Sequence, residues 1–116
     1  MHISEFSLIN RTRSESPEGF KHPMNAWSIS DWFLAVTGEL GEAANVAKKL
    51  NRYRDGIPGN KQSERDLKLQ LADEIADTYI YLDLLAQRIG VDLELAVVKK
   101  FNDKSREIGY PHLIKA

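Results

Sequence analysis

The sequence contains no cysteine, which excludes a disulfide scaffold, a thiolate metal site and a cysteine nucleophile together. Long apolar runs are missing too, and the first residues, Met1-His2-Ile3-Ser4-Glu5, carry neither a basic nor an apolar leader region. The protein is therefore expected in the cytoplasm and off the membrane. Neither sign of charge dominates: 16 basic against 17 acidic residues leave a net charge of −1, so no global field draws the chain to nucleic acid or to an anionic lipid surface. A small nucleotide remains an admissible partner. Strand signals are nearly absent, as are repeats and low-complexity stretches, and there are only three histidines. With 116 residues the chain has the length of a single domain, 1–116, with room for one core and one site.

What the sequence does contain is helical periodicity. Ser28-Ile29-Ser30-Asp31 has the form of a capping box and predicts a helix running to about Leu50. Ile29, Phe33, Val36, Leu40, Ala43, Ala47 and Leu50 follow the three-and-four spacing of a buried stripe, while Trp32, Ala35, Glu39, Glu42, Val46 and Lys49 form a mixed stripe beside it. A second long helix opens at Ser63-Glu64-Arg65-Asp66 and presents Leu71, Ile75, Tyr79, Leu82, Ala86 and Ile89 on one face before Gly90. Alongside run Gln70, Asp73, Glu74, Asp77, Tyr81 and Leu84. A third helix, capped by Asp92, continues through Ala96, Val97 and Phe101 until Gly109-Tyr110-Pro111, and a shorter one spans Ser4 to Arg13 with Phe6 and Ile9 inward. Asn51 to Gln62, with Arg52, Arg54, Gly56, Pro58, Gly59 and Lys61, reads as a basic, mobile loop, and Ser14 to Pro23 as a second loop. The expected fold is an all-α bundle of about four helices. Apolar residues wrap around more than one face of both long helices, which predicts a homo-oligomer, a dimer or a tetramer.

The carboxylates are the unusual feature. Glu39 and Glu42 are three apart, as are Glu74 and Asp77, so each pair lies on one helical face with Cβ atoms about 5–6 Å apart. A lone E-x-x-E is ordinarily a solvated acidic flank. Here each pair sits within a strongly apolar helix, and no Lys or Arg stands four residues from Glu39 or Glu74; those positions hold Ala35, Ala43, Gln70 and Thr78. Antiparallel packing of the two helices would bring four or five carboxylates together, and such hard oxygen ligands suit Mg²⁺ or Mn²⁺. A di-iron bundle is excluded because it needs Glu-x-x-His on two helices, whereas His2, His22 and His112 all lie outside the long ones.

Glu39-Leu40-Gly41-Glu42 followed by Glu74-Ile75-Ala76-Asp77 resembles the E-x-x-E…E-x-x-D signature of the MazG-like, all-α nucleoside triphosphate pyrophosphohydrolases. The likeness extends from about Trp27 to Pro111, with Lys100-Phe101-Asn102 and Ser105-Arg106 similar to the family's third-helix segment. The resemblance implies conversion of a nucleoside triphosphate to monophosphate and pyrophosphate, as nucleotide-pool housekeeping, with Mg²⁺ held by Glu39, Glu42, Glu74 and Asp77. Two departures stand out: Gly38 occupies a position where the family often has a further Glu, and the stretch between the motifs is long. Glu42, further from the apolar stripe than Glu39, is the first choice for the general base.

Substrate contacts are expected from Lys49, seven residues after Glu42 on the same stripe, and from Arg52 and Arg54, although cations at a helix end also serve the dipole. Lys100 and Asn102 are phosphate or sugar candidates through the resemblance alone. Trp32, seven before Glu39, has the spacing to stack on a base and equally that of a core residue. A reading of a different class is a non-catalytic nucleotide-binding or structural oligomer that keeps the helices without turnover.

Overall fold

A computed structural model of the chain describes residues 1–115, and these form four helices with no strand: α1 (Ile3–Glu15), α2 (Ile29–Asp55), α3 (Glu64–Arg88) and α4 (Leu93–Ile108), with a 3₁₀ turn at Met24–Ala26 before α2. They group into two compact units, Trp27–Leu85 and the two chain ends up to Ala26 and from Ala86 onward, with α3 crossing from one to the other. No helix among the described residues is long and apolar enough to cross a membrane.

The Trp27–Leu85 unit is an antiparallel helical hairpin. Ser28 caps α2 as expected: its Oγ accepts the Asp31 N–H at 3.1 Å while its own N–H donates to the Asp31 carboxylate at 3.0 Å. The helix runs five residues beyond the expected Leu50, because Asn51–Asp55 contains no breaker and Gly56, at φ 69°, is the first residue to take the left-handed conformation that ends a helix. Arg52 and Arg54 are therefore helical residues. What remains of the expected mobile loop is tied down: the Tyr53 hydroxyl donates to the Gln62 carbonyl, Asn60 Nδ2 to the Lys49 carbonyl at 2.7 Å, and Gln62 Nε2 to Gln70 Oε1 at 3.3 Å. Ser63 Oγ then accepts the Asp66 N–H at 3.0 Å and starts α3.

The buried face of α2 differs from the expected one. Trp32, Ala43 and Val46 are buried, whereas Phe33 is 52% exposed and Ile29 and Leu40 are also open; on α3, Leu67, Leu84 and Leu85 are buried while Ile75 is 58% exposed. The stripe that α2 buries is the mixed one of Trp32 and Val46, and Glu39 on that stripe meets Glu74 and Asp77 of α3. The strongest apolar stripe lies about a quarter turn away.

In the other unit α1 packs against α4. Besides Met24 and Ala86, the buried residues are small and polar, Asn10 and Ser14 on α1 and Asn102 and Ser105 on α4. Phe6 is only half-buried and the expected inward Ile9 is exposed, as are Val97 and Phe101. Ser14 Oγ donates to the His22 carbonyl at 2.9 Å, Ser105 Oγ to the Phe101 carbonyl at 2.9 Å, and Asn102 makes two bonds of 2.8 Å to the Ile114 backbone, so burial of these groups is compensated. Asp92 caps α4 through the Leu95 N–H at 3.0 Å, and Gly109 at φ 76° ends it. In the loop after α1, Gly19 is required by close approach, since a Cβ there would lie 1.9 Å from the Arg13 carbonyl oxygen.

Gly38 lies inside α2, and a Cβ built on it meets nothing within 4 Å. Replacing a mid-helix glycine with alanine removes backbone freedom from the unfolded chain, so Gly38→Ala is expected to raise stability by about 0.5–1 kcal/mol in urea unfolding.

Candidate functional site

Glu39 on α2 and Glu74 and Asp77 on α3 converge: one carboxylate oxygen from each lies within 4.8 Å of the others. The convergence follows from the hairpin. Glu39 and Glu74 both belong to the strips that α2 and α3 turn toward each other, and Asp77 is one turn beyond Glu74 on the same side. Glu39 and Glu74 are half-buried and Asp77 is exposed, so the group opens to solvent at one edge. Glu42 is exposed beside them, close enough to share hydrogen bonds and charge with both Glu39 and Glu74. The structure thus gathers three of the four motif acids into one group and sets the fourth on its rim. Asp73 lies outside the group.

The electrostatics distinguish this cluster from an ordinary acidic surface. Burial pushes the Glu39 carboxyl above the usual range, and the nearby charges of Glu42 and Asp77 push it further. Glu74 is raised in the same way, first by desolvation, then by its hydrogen bond and charge contact with Glu42 and by the charges of Glu39 and Asp77. Elsewhere, the Arg11 guanidinium holds Glu15 down, Arg54 holds Asp55 down, and Lys99 holds Asp103 down. Among the described residues no ion pair engages any of the four motif acids. Glu74 Oε2 is buried with no hydrogen-bond partner. A set of oxygen donors that repel one another, with an orphaned oxygen among them, fits a hard divalent cation.

The expected substrate residues fare differently. Lys49 is half-buried on the face of Glu42, two turns and about 10 Å further along α2. Arg52 stands about 20 Å along the helix from Glu39, with its guanidinium over Gly59, and Arg54 is held in a two-bond fork by Asp55 at 2.8 and 3.0 Å. The structure does not bring these two arginines to the acids. Trp32 is 1% exposed and packs edge-to-face on Trp27 with ring centroids 4.7 Å apart, so it is a core side chain with no face open to a base. Lys100 and Asn102 belong to the other unit; Lys100 is exposed, and the Asn102 carboxamide is engaged as donor and acceptor by Ile114. Tyr53 and Asn60, which tie the basic segment down, carry no motif that would have marked them.

The chain is similar to dCTP pyrophosphatase 1 of Homo sapiens, 36% identical over 100 residues that cover 85% of this chain and 52% of that protein. The protein of the same name from Rattus norvegicus is 34% identical over 96 residues, 83% of this chain and 51% of the relative, and that from Mus musculus, also 34% identical, shares the same extents. The chain therefore spans about half the length of the curated relatives it matches. No family model matches the chain, and no solved structure matches it significantly.

Because the folded-state values of Glu39 and Glu74 lie above the unfolded ones, their charged forms cost stability at neutral pH, and this cost is relieved as pH falls through the folded values. In EDTA the melting temperature is expected to rise as pH is lowered from 7 toward about 5, a window above that in which the depressed Glu15, Asp55 and Asp103 lose their contribution. Glu39→Gln and Glu74→Gln should each flatten that rise; identical slopes in wild type and both variants would contradict the repulsion.

Proposed function

We propose that the chain is a member of the MazG-like all-α family of nucleoside triphosphate pyrophosphohydrolases, a reading supported by its likeness to the mammalian relatives, and that it hydrolyses a nucleoside triphosphate to the monophosphate and pyrophosphate, in the cytoplasm and with Mg²⁺, for which Mn²⁺ substitutes. The convergence of Glu39, Glu74 and Asp77 carries this reading. These three residues hold the cation. Bound there, it would offset the negative charge of the triphosphate and polarise a phosphoryl oxygen.

The protein's own groups supply the rest. Glu42, exposed on the rim, takes a proton from the water that adds to the α-phosphorus, and the bond to pyrophosphate breaks. Lys49 sits on the same face at a distance its side chain spans toward a phosphate chain. The name of the mammalian relatives makes dCTP the first substrate to test. Pyrophosphate release from a panel of nucleoside triphosphates with Mg²⁺ is the assay. Glu39→Gln and Asp77→Asn are each expected to lower the rate at least about a hundredfold with the helical circular dichroism intact. Retention of a tenth of the activity in either variant removes that residue from the site, and no turnover on any nucleotide favours the non-catalytic reading.

The protein also self-associates in this proposal. Phe33 and Leu40 of α2 and Ile75 and Leu82 of α3 are exposed, and each lies about a quarter turn from the strip facing the partner helix. In antiparallel helices that quarter turn points to one side of the hairpin, opposite the acids, and a second copy supplies an equivalent apolar face to cover it. Sedimentation equilibrium at micromolar concentration is expected to give a dimer or a tetramer, shifted toward monomer by Leu40→Glu; a folded wild-type monomer would contradict the proposal.

A further inference from the structure

The connection between α2 and α3 makes one bond that helix capping does not call for. At the end of α2 the carbonyls without an intrahelical donor are those of Arg52 to Asp55, and the next residues serve two of them: the Gly56 N–H donates to the Tyr53 carbonyl at 3.3 Å and the Ile57 N–H to the Arg52 carbonyl at 2.9 Å. Asn60 passes these over. Its Nδ2 donates instead to the Lys49 carbonyl at 2.7 Å, in the helix interior, where the N–H four residues on is the ordinary partner and only the second lone pair is open.

Helical carbonyls point toward the C-terminus, so this bond seats the Asn60 carboxamide over the turn that follows Lys49, on the face Lys49 occupies. Arg52 crowds the same turn, its Nη1 3.7 Å from where a Cβ on Gly59 would lie. Both Asn60 and Lys49 are half-buried. The Lys49 side chain thus has a carboxamide and a like charge on its C-terminal side, while helical side chains lean toward the N-terminus, which here is the direction of Glu42. Among the described residues the Lys49 ammonium enters no ion pair and no hydrogen bond that would hold it elsewhere. Lys48, one residue earlier, is exposed and turned about 100° away around the helix.

From this arrangement we infer that Asn60 is a positioning residue: it closes the C-terminal side of Lys49 and keeps the ammonium directed along α2 toward the acidic cluster, where it meets the pyrophosphate part of the substrate. The inference rests on the reading of Lys49 as a phosphate contact and deepens it by naming what aims that cation. A connection tied only to the end of α2 would leave Lys49 free to turn to solvent.

Isothermal titration of the full chain with inorganic pyrophosphate in saturating Mg²⁺ reads the contact without turnover. Lys49→Ala should weaken binding at least about fivefold, and Asn60→Ala at least about threefold. In the Lys49→Ala background Asn60→Ala is expected to add nothing, because a residue that acts through another loses its effect along with it. A role in folding alone would weaken binding alike in both backgrounds. Should Asn60→Ala not fold, Asn60→Asp, which keeps the shape and loses the donor, replaces it with the same expected direction. Equal losses in both backgrounds overturn the inference, as do wild-type affinity in the Asn60 variant and absence of binding in wild type. Coupled losses in a protein that turns over no nucleoside triphosphate would contradict the hydrolytic reading and uphold the inference.

Discussion

Three carboxylates held within a few ångströms of one another repel, and every other feature of the α2–α3 hairpin is arranged around that repulsion. Glu39 and Glu74 lie on the strips that the two helices turn inward, where burial and like charge together raise their proton affinity. A fold that needed only stability would place apolar residues there, and the chain has them in hand a quarter turn away at Phe33, Leu40 and Ile75. The acids face inward and the large apolar residues are left outside. The proposed cation among the acids and the proposed second chain over the apolar face would resolve both features at once.

The remaining structure holds that hairpin in register. Ser28 and Ser63 fix where the two helices start, Gly56 fixes where the first one stops, and Tyr53, Asn60 and Gln62 fasten the connection to the helices it joins. Because the connection is fastened, the relation of Glu39 to Glu74 does not depend on a flexible loop. The chain ends solve a different problem, with small polar side chains on α1 and α4, Ser14, Asn102 and Ser105 hydrogen-bonded to backbone carbonyls or amides, in place of a large apolar core.

Much of this was legible in the residues. Capping boxes and glycine stops located α2, α3 and α4 because they are local chemistry, decided within four residues. The paired acids were legible because E-x-x-E and E-x-x-D place two carboxylates on one helical face whatever the partner. Which face α2 buries was not legible: periodicity shows that Phe33 and Leu40 share a stripe, and it does not say that the fold buries the neighbouring stripe of Trp32 and Val46 instead. Arg52 and Arg54 were drawn to the site by charge alone, and the rise of an α-helix puts Arg52 about 20 Å from Glu39. Asn102 looked like a ligand through resemblance, and its bonds to Ile114 depend on a backbone segment twelve residues away that no local pattern announces.

The central claim is that the acidic cluster is a cation site, and direct titration with Mn²⁺, followed by the loss of the free-ion electron paramagnetic resonance signal, tests it without substrate. Wild-type protein is predicted to bind the ion saturably, with Mg²⁺ competing, and Glu39→Gln, Glu74→Gln and Asp77→Asn are each predicted to weaken binding at least about tenfold, since each removes a charged ligand. Wild-type affinity retained in all three variants would contradict the claim.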